Sequence, residues 1–345
     1  MITEKKIVQV LDKLTIPSIE SFALDIRRTS LESEQESSVR ALLDNKNVVG
    51  FGVAEKISKK SPTGKLALVF YVKHKLPLKR LPRSHIIPSV LPKAFSGVAE
   101  IPTDVVEIGA IKLDKGPFAE RNPIQPGNSI GHSSCLAGTL GAIVKRGKTL
   151  LLLSNSHVLA ASGKARKGAP IIYPAKRDKG KFPDDIIAKL DKHIKFKTGG
   201  EYVNFADCAV AKLVKNNKTV IASIRTIGGP TGIVRPKRGM KIIKFGSTTG
   251  KTTGLIRDTH FRFALQYPGL GSVGFYNQVL CTRYSEAGDS GSLILDKKLK
   301  RAIGLHFASA KGGSVFCPIM PVLRELDVRL ILANRTNPAN RNIPI

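Results

Sequence analysis

The sequence predicts a mainly β protein that begins with a smaller α+β domain, and three observations favour this fold class. From about residue 133 onward, short β-like runs alternate with glycine-rich or charged turns, a spacing typical of an all-β barrel or sandwich. Before that point, helical and strand patterns are mixed. Glycines and prolines are concentrated at 116–128, which predicts a linker. We therefore expect an N-terminal domain with its linker at 1–128, a β domain at 129–333 and an exposed tail at 334–345.

Apolar residues at helical spacing predict two helices in the first domain. In the first helix, apolar residues at i, i+3, i+4 and i+7 form one face, and Pro17 ends the helix. The residues of this face are Ile7, Val10, Leu11 and Leu14. A second helix is predicted to open at Ser33, where Ser-Glu-Gln-Glu has the spacing of a capping box. The start of the chain is therefore expected to be mostly helical.

Two β runs follow at 48–53 and 65–72, and the turn signal Ser61–Gly64 between them predicts a hairpin. Four prolines then interrupt any regular element until 104–111 restores a strand pattern; they lie at positions 77, 82, 88 and 92. Helices and a hairpin together predict a small α+β unit.

Seven β-like runs and one helix make up the second domain. The runs lie at 138–144, 149–153, 208–213, 241–245, 274–282, 292–295 and 302–307. The helix is predicted near Pro321, which suits a first helical turn, and its apolar face should dock on the β structure. That face consists of Ile319, Leu323 and Leu326.

Composition excludes several classes of protein. A chain of 345 residues with 42% hydrophobic and 24% charged residues is neither disordered throughout, nor collagen, nor a coiled coil. No apolar run reaches the length of a membrane span, and no secretory signal is recognisable.

The four cysteines lack CxxC spacing, so we expect no zinc site, no disulfide framework and a reducing, cytoplasmic location. The net charge of +30 predicts a surface that attracts anions.

The sharpest motif is Gly288-Asp289-Ser290-Gly291-Ser292. Glycines on both sides of a serine permit a tight turn that exposes the serine Oγ and points backbone N–H groups into one pocket. An ordinary hairpin turn would have the same composition, so neighbouring motifs must decide between the two interpretations.

Two further residues supply that context. His157 follows the apolar run 150–153, which places a histidine just past the end of a predicted strand. Asp207 has apolar neighbours and begins the run 208–213. A buried, charged acid needs a hydrogen-bonded partner, and an imidazole N–H can be that partner. The three residues are therefore candidates for a single site.

The order His157, Asp207, Ser290 on a β-rich chain resembles the trypsin/chymotrypsin-like serine peptidases over about residues 133–330. The matching motifs are Asn-Ser-His-Val-Leu, Ala-Asp-Cys-Ala-Val and Gly-Asp-Ser-Gly-Ser. This resemblance implies a double β-barrel in which Ser290 is the nucleophile, His157 the general base and Asp207 the group that orients the imidazole. It also implies an oxyanion hole at Gly288 and Ser290, with Asp289 between them.

The first domain resembles the leader domain of an intracellular branch of these peptidases, found in bacteria and in the plant narrow-leaf proteins. The matching segments are Val-Val-Gly-Phe-Gly-Val at 48–53 and Ile-Pro-Thr-Asp-Val-Val-Glu at 101–107. An unregulated protease in a reducing cytoplasm would be harmful, and the linker at 116–128 separates two domains, so we expect the leader to restrain or present the catalytic domain. The alternative is that the leader is needed only for folding. One departure concerns cysteines, because the animal enzymes pair several of them. Here Cys208 and Cys281 lie in predicted strands and are expected to be buried free thiols.

The resemblance also implies a substrate pocket lined by Tyr284, His306 and Phe307. Enzymes of the family that cut after Lys or Arg have an aspartate where this chain has Tyr284, so a basic preference lacks its anion. The segment 304–308 resembles one in glutamyl endopeptidases, whose histidine binds the substrate carboxylate. An acidic peptide substrate is therefore expected, while cleavage after Leu or Phe and a packing role for His306 stay open.

Three alternatives to a peptidase arise from the sequence, and the first of them, nucleotide binding, is disfavoured by the spacing of its motif. The run from Gly246 to Lys251 has three residues between its glycines where a phosphate loop needs four, so it predicts a tight hairpin and no nucleotide cofactor. Nucleic-acid binding is suggested by the charge alone, without a recognition motif, and gel shifts across salt concentrations would reveal it. A catalytically inactive scaffold is the third. No metal ligation is expected of the other histidines, and the sequence leaves the oligomeric state open.

Overall fold

The structure is a computed structural model that describes residues 3–15, 45–58, 61–91, 100–111, 123–135, 137–215, 217–333 and 342–343. Strands dominate these ranges, so the predicted mainly β fold class is confirmed. The helix predicted to open at Ser33 lies outside the described residues. No helix in the described ranges has both the length and the apolarity that crossing a bilayer requires.

The N-terminal part is the predicted α+β unit. Its elements are α1 (Glu4–Thr15), β1 (Val48–Ser58), β2 (Ser61–Val72), β3 (Val90–Leu91) and β4 (Ile101–Glu107). Strands β1 and β2 form an antiparallel hairpin, and β4 pairs parallel to β2. The apolar stripe of α1, which includes Ile7 and Leu11, is buried against Phe51 and Phe70 of the hairpin. Burying each such side chain contributes about 1.5–3 kcal/mol, which holds the helix on the sheet.

The hairpin turn lies elsewhere than predicted. Ser61–Gly64, taken as the turn, belongs to β2, where Ser61 pairs with Ser58 and Pro62 with Ile57. Pro62 is tolerated because the hairpin end projects into solvent, where a strand does not need every ladder N–H. The hydroxyl of Thr63 donates to the carbonyl of Lys56 at 2.8 Å, which supports the extended end of the hairpin.

The remaining described chain contains two groups of strands, each of which includes one α-helix. The first group is β5 (Ser129–His132), β6 (Gly138–Thr139), β7 (Ala142–Arg146), β8 (Thr149–Ser154), α2 (Ser156–Leu159), β9 (Pro170–Ile172), β10 (Ile186–His193), β11 (Tyr202–Asn204), β12 (Ala209–Leu213) and β13 (Val220–Ile221). The second group is β14 (Lys241–Gly246), β15 (Gly250–Tyr267), β16 (Gly271–Cys281), β17 (Leu293–Asp296), β18 (Ala302–Ala310), β19 (Gly313–Pro318), α3 (Ile319–Leu326), β20 (Arg329–Leu330) and β21 (Asn342–Ile343). Six of the seven β runs predicted from the sequence lie within one of these strands or extend one residue beyond it. The run at 138–144 is divided between β6 and β7.

Strand pairing produces two barrels. The first is an eight-stranded curled sheet in the order β20-β7-β8-β12-β10-β9-β5-β6. In the second, the order β14-β15-β16-β19-β18-β17 closes on itself because β17 pairs back with β14. The double β-barrel implied by the resemblance to trypsin-like peptidases is therefore confirmed at the level of the fold.

The N-terminal unit is joined to the second barrel edge to edge. Strand β1 pairs with β15, with Gly50 opposite Phe263 and Phe51 opposite Arg262. The β1–β4 strands thus continue the sheet of the second barrel rather than forming a sheet of their own. The domain boundary near residue 129 stays a prediction, since most of the linker lies outside the described residues.

The end of the chain packs as expected in its helical part. In α3, the predicted face of Ile319, Leu323 and Leu326 is buried, and Pro321 lies in the first turn. Beyond it, β21 pairs with β13, so residues 342–343 of the predicted tail contact the rest of the chain. The other residues after 333 lie outside the described ranges.

All four cysteines carry free thiols. Cys208 and Cys281 are fully buried, which confirms the prediction for both. Burial raises the pKa of each thiol well above its ordinary value, because a thiolate would be poorly solvated inside the barrels. We conclude that both residues act as small apolar side chains of the cores.

Candidate active site

The histidine turn is built where β8 ends and α2 begins. Between them, Asn155 keeps an extended backbone, with φ −79° and ψ 158°, that turns the chain out of the sheet. Its side-chain amide donates to the backbone carbonyl of Asp207 at 2.6 Å. The turn is therefore tied to the segment that contains the acid, and His157 is placed directly beside it.

The aspartate reaches the histidine through strand pairing. Strand β12 runs antiparallel to β8 with Ala209 opposite Ser154, so Asp207 lies next to the histidine turn. Oδ2 of Asp207 accepts from Nδ1 of His157 at 2.5 Å. Oδ1 accepts from the backbone N–H groups of Ser156, at 2.6 Å, and His157, at 3.2 Å. Because Nδ1 donates to the carboxylate, the lone pair of the neutral imidazole is on Nε2, where a general base needs it.

The serine turn requires its glycines. Gly288 and Gly291 flank Ser290 at φ +100° and +96°, in the left-handed region that favours glycine. A Cβ on Gly291 would lie 2.1 Å from Oγ of Ser154. The carbonyl of Ser290 accepts from the N–H of Thr139 at 2.7 Å, so the turn is fastened to the first barrel although it belongs to the second.

The nucleophile candidate is not yet paired with the base. Ser290 is fully buried, and its Oγ donates to the backbone carbonyl of Phe307 at 3.3 Å. Nε2 of His157 is buried and has no hydrogen-bond partner among the described residues. The structure thus brings His157 and Asp207 together, but the hydrogen bond between Oγ of Ser290 and Nε2 of His157 is not formed. In enzymes without bound substrate, hydrogen bonds between a base and a nucleophile are often long or poorly aligned.

Two backbone N–H groups of the serine turn are available as oxyanion donors. The carbonyl of Ala287 accepts from the Thr248 hydroxyl at 2.6 Å, and a trans peptide points the N–H of Gly288 the opposite way. The carbonyl of Asp289 accepts from the N–H of Ser292 at 3.0 Å, which likewise turns the N–H of Ser290 outward. Neither N–H has an acceptor among the described residues. The N–H of Asp289 instead donates to Glu286 at 3.1 Å within the turn.

The buried side chain of Asp289 holds the Ser290 turn in place. Its carboxylate is fully buried and forms an ion pair with Nζ of Lys244 at 2.8 Å, also fully buried. It also accepts from the hydroxyl of Thr249 at 2.6 Å and the N–H of Glu286 at 3.0 Å. Burial by itself would raise the pKa of Asp289, but the Lys244 ammonium and these hydrogen bonds outweigh it and lower that pKa. Asp289 is therefore a charged support of the turn.

The glycine- and threonine-rich run from Gly246 to Lys251 is the tight β14–β15 hairpin that the sequence predicted. The N–H groups of Thr248 and Thr249 both donate to Oδ1 of Asp289, at 3.0 and 3.1 Å. A Cβ on Gly246 would lie 2.2 Å from that carboxylate oxygen. The run whose sequence resembles a phosphate loop thus binds the Asp289 carboxylate through its backbone N–H groups.

The predicted pocket residues divide between two places. Tyr284 and His306 are buried together, and the Tyr284 hydroxyl lies 3.0 Å from Nδ1 of His306. The Phe307 side chain lies in the barrel core, with its ring 5.1 Å from that of Phe275, and its role in a substrate pocket stays a prediction. The pairing of β18 with β19 shifts register between His306 and Ala308, so regular alternation does not apply to Phe307. Phe307 and the Tyr284 that contacts His306 belong to separate apolar clusters. Phe307 contributes only its carbonyl, to Ser290.

The sequence analysis missed two residues next to this site. Lys244 carried a signal, since a lysine inside an apolar strand and two positions before a glycine suggests a buried counterion. Tyr267 donates its hydroxyl to Oδ2 of Asp207 at 2.7 Å. It carried no signal, because nothing in the pattern of β15 links its last residue to a strand of the other barrel. Within the described ranges, no three His, Cys, Asp or Glu side chains gather as metal ligands.

Solved structures similar to this chain are serine proteases. Thermobifida fusca Protease A has 20% sequence identity and a TM-score of 0.43, with 61% of this chain and 100% of that chain covered. Cellulomonas bogoriensis chymotrypsin has 18% identity and a TM-score of 0.42, with 61% and 100% covered. A glutamic acid specific serine protease described as using a histidine triad in substrate binding has 16% identity and a TM-score of 0.44, with 60% and 100% covered.

No protein-family model matches the sequence, and no curated protein sequence matches it either. At identities of 16–20%, the structural similarities do not bear on catalysis by this chain. The trypsin-like fold is evident from the strand pairing described above.

Proposed function

We propose that this protein is a serine endopeptidase that uses Ser290, His157 and Asp207. The observation that carries the proposal is the hydrogen bond between Nδ1 of His157 and the buried Asp207 carboxylate, which leaves Nε2 as a base without a partner. The glycine-flanked serine and its two outward N–H groups supply the remaining parts of an acyl-transfer site.

In the proposed reaction, the Ser290 hydroxyl leaves the Phe307 carbonyl and turns toward Nε2 of His157. Oγ attacks the substrate carbonyl while Nε2 takes its proton, and the N–H groups of Gly288 and Ser290 stabilise the resulting oxyanion. The imidazolium, held by Asp207, then protonates the leaving amine as the peptide bond breaks. Water, deprotonated by the same imidazole, hydrolyses the acyl enzyme and restores Ser290.

The test of the proposed function is covalent labelling. The purified protein is expected to react with a fluorophosphonate probe, and Ser290→Ala and His157→Ala are each expected to abolish labelling, because an unassisted hydroxyl is a weak nucleophile. Ser156→Ala is the matched control: this serine adjoins His157 and its Oγ has no partner, so the variant should label like the wild type. Mass spectrometry of the intact protein measures the adduct.

Two results would contradict the proposal. Labelling that persists in Ser290→Ala would place the reactive group elsewhere. A folded wild-type protein that never labels would favour the inactive scaffold, in which Ser290 stays on the Phe307 carbonyl.

We propose further that the substrate is a peptide with an acidic residue before the scissile bond. The backbone of His306 lies beside the nucleophile turn, accepting from the N–H of Gly291 at 2.8 Å and donating to the carbonyl of Ser292 at 2.9 Å. An imidazole at this place can donate to a substrate carboxylate, and the net charge of +30 concentrates acidic peptides near the protein. Tyr284, buried against His306, supplies no anion for Lys or Arg.

A peptide library is expected to show cleavage mainly after Glu or Asp, with that preference lost in His306→Ala. The reason is that the variant removes the hydrogen-bond donor while keeping the strand. His193→Ala is the control, since His193 is half-buried on β10 in the first barrel. Cleavage mainly after Leu or Phe, unchanged in His306→Ala, would refute the acidic preference and leave the triad proposal intact.

The N-terminal unit is proposed to restrain or present the catalytic domain. In support, the Tyr71 hydroxyl donates to Asp258 of β15 at 3.0 Å. Burial raises the pKa of Asp258 to about 7, so this junction contains a carboxyl that ionises near neutrality. Arg262 of the same strand, fully buried, pairs with Asp12 and Thr15 of α1. These contacts couple the unit to a strand of the second barrel.

Cutting the linker is expected to change activity. A recognition site for a specific protease, inserted within 112–122, allows the intact and the cut protein to be compared without removing any element from the sheet. Fluorophosphonate reactivity measures the outcome, and gel filtration shows whether the two pieces stay together. Equal reactivity of the cut and intact proteins, with the pieces separated, would contradict a regulatory leader.

A further inference from the structure

Tyr267 is the last residue of β15 and is buried beside the acid of the candidate triad. Its hydroxyl donates to Oδ2 of Asp207 at 2.7 Å, the same oxygen that accepts from Nδ1 of His157 at 2.5 Å. No other side-chain hydroxyl in the described ranges is found on this carboxylate. The tyrosine and the candidate general base therefore donate to the same carboxylate oxygen.

The carboxylate of Asp207 has four donors, two on each oxygen. Oδ1 accepts from two backbone N–H groups of its own barrel, and Oδ2 accepts from the imidazole and from Tyr267. Burial, and then the nearby Asp207 charge, raise the pKa of Tyr267 well above its ordinary value, so the phenol stays protonated and acts only as a donor. The hydroxyl thus stabilises the carboxylate charge and also fixes the direction of Oδ2.

The ring of Tyr267 is held in place by packing. It lies 4.8 Å from the ring of Phe196 and 6.2 Å from that of Phe275, measured between centroids. The backbone of Tyr267 pairs with Gly271 across the β15–β16 hairpin. A phenylalanine at this position would keep these contacts and lose only the hydroxyl.

This hydrogen bond crosses from one barrel to the other. Asp207 and His157 belong to the first barrel, whereas Tyr267 and the Ser290 turn belong to the second. Correct placement of a base against a nucleophile is worth several orders of magnitude in rate, and a displacement of about 1 Å can cost about 100-fold. Tyr267 belongs to the barrel that contains the nucleophile and donates to the acid of the other barrel. Its hydrogen bond therefore fixes the position of the acid–base pair relative to the Ser290 turn.

We propose that Tyr267 is a positioning residue: it holds the Asp207–His157 pair in register with Ser290 across the barrel interface and moderates the basicity of the carboxylate. This inference rests on the proposed peptidase function. The ring of Tyr267 also lies edge-on to that of His157, with 6.5 Å between centroids, and Tyr267→Phe keeps this contact, so the variant isolates the effect that the hydroxyl exerts through Asp207.

Tyr267→Phe is expected to slow inactivation by a fluorophosphonate about 10- to 100-fold, the range for a hydrogen bond to a charged group. The acid limb of the pH dependence of inactivation should also move to higher pH, by about half a unit or more. With one donor fewer, the carboxylate binds the imidazolium more strongly, so His157 keeps its proton to higher pH. A merely structural loss would lower the rate without moving the limb.

Tyr71→Phe is the matched control. Tyr71 is equally buried and donates to another buried carboxylate, that of Asp258, at the leader junction. Its removal should leave the acid limb where the wild type has it. A Tyr267→Phe variant with an unmoved limb, whatever its rate, would overturn the proposal.

Nuclear magnetic resonance separates this proposal from the proposed function. The titration of the His157 ring, assigned by its absence in His157→Gln, is expected to move to higher pH in Tyr267→Phe even if the protein never labels. A wild type that does not label refutes the peptidase, while the titration still decides the role of Tyr267. An unchanged titration refutes the role of Tyr267 alone.

Discussion

Asp207→Asn is expected to lower turnover by about 10⁴-fold, the loss that removal of the corresponding acid causes in trypsin-like peptidases. The reason lies in the hydrogen bond between Oδ2 of Asp207 and Nδ1 of His157 at 2.5 Å. An amide NH₂ in place of Oδ2 cannot accept from Nδ1–H, so the imidazole adopts the other tautomer and Nε2 loses its lone pair.

Turnover would be measured on the best peptide from the library, with the free energy of unfolding determined in parallel. Asp258→Asn is the matched control, because Asp258 is also fully buried and also accepts a tyrosine hydroxyl. Its variant is expected to keep turnover within about 10-fold of the wild type. Comparable losses in both variants would mean that the effect comes from destabilised folding and not from the tautomer of His157.

Lys244→Met is expected to reduce the free energy of unfolding by about 3–5 kcal/mol and to reduce turnover severely. Lys244 and Asp289 are both fully buried, 2.8 Å apart, so the variant leaves a carboxylate charge without its counterion. Asp289 also binds Thr248 and Thr249, and those contacts hold the turn that carries Ser290. A turn that relaxes would move the N–H groups of Gly288 and Ser290 away from the oxyanion.

Lys241→Met is the control for Lys244→Met, since Lys241 is exposed on the same strand. It should change the free energy of unfolding by no more than about 0.5 kcal/mol. Urea unfolding measures both variants. Equal stability of the two would show that the buried ion pair is not needed to hold the turn.

The effect of Lys244→Met should also depend on pH. In the wild type the pKa of Asp289 is lowered, despite burial, by Lys244 and by hydrogen bonds. A depressed carboxyl pKa contributes stability that is present above the unfolded value, about 3.9, and is lost as the pH falls through the folded value. The difference in free energy of unfolding between wild type and Lys244→Met is therefore expected to become smaller below about pH 4. A difference that becomes larger there would contradict the counterion role.

Local patterns determined several elements of this protein. The stripe from Ile7 to Leu14 predicted α1, and the face of Ile319, Leu323 and Leu326 predicted α3, because helical spacing alone decides which side chains are buried. The β runs of the second domain were predicted for the same reason, since alternation and turn residues are local signals. The turn at Ser61–Gly64 was misplaced because a hairpin end that projects into solvent tolerates turn-forming residues inside its strands.

The candidate triad was also visible in the sequence, as three short motifs in a meaningful order. A glycine-flanked serine, a histidine after a strand and an acid among apolar residues each have a local cause. Their proximity was an inference from resemblance. The hydrogen bond between His157 and Asp207 follows from the pairing of β8 with β12, which no local pattern specifies.

Only the tertiary structure decided which side chains support the site. Lys244 lies 45 residues from Asp289 and Tyr267 lies 60 residues from Asp207, and each pair meets because two strands or two barrels bring the residues together. The same is true of Phe307, whose side chain faces the core while its carbonyl meets Ser290. Sequence by itself determined the elements and the reactive residue types, because these depend on local spacing and turn chemistry. Counterions, second donors and the state of the Ser290 hydroxyl depend on long-range contacts, so only the folded chain could decide them.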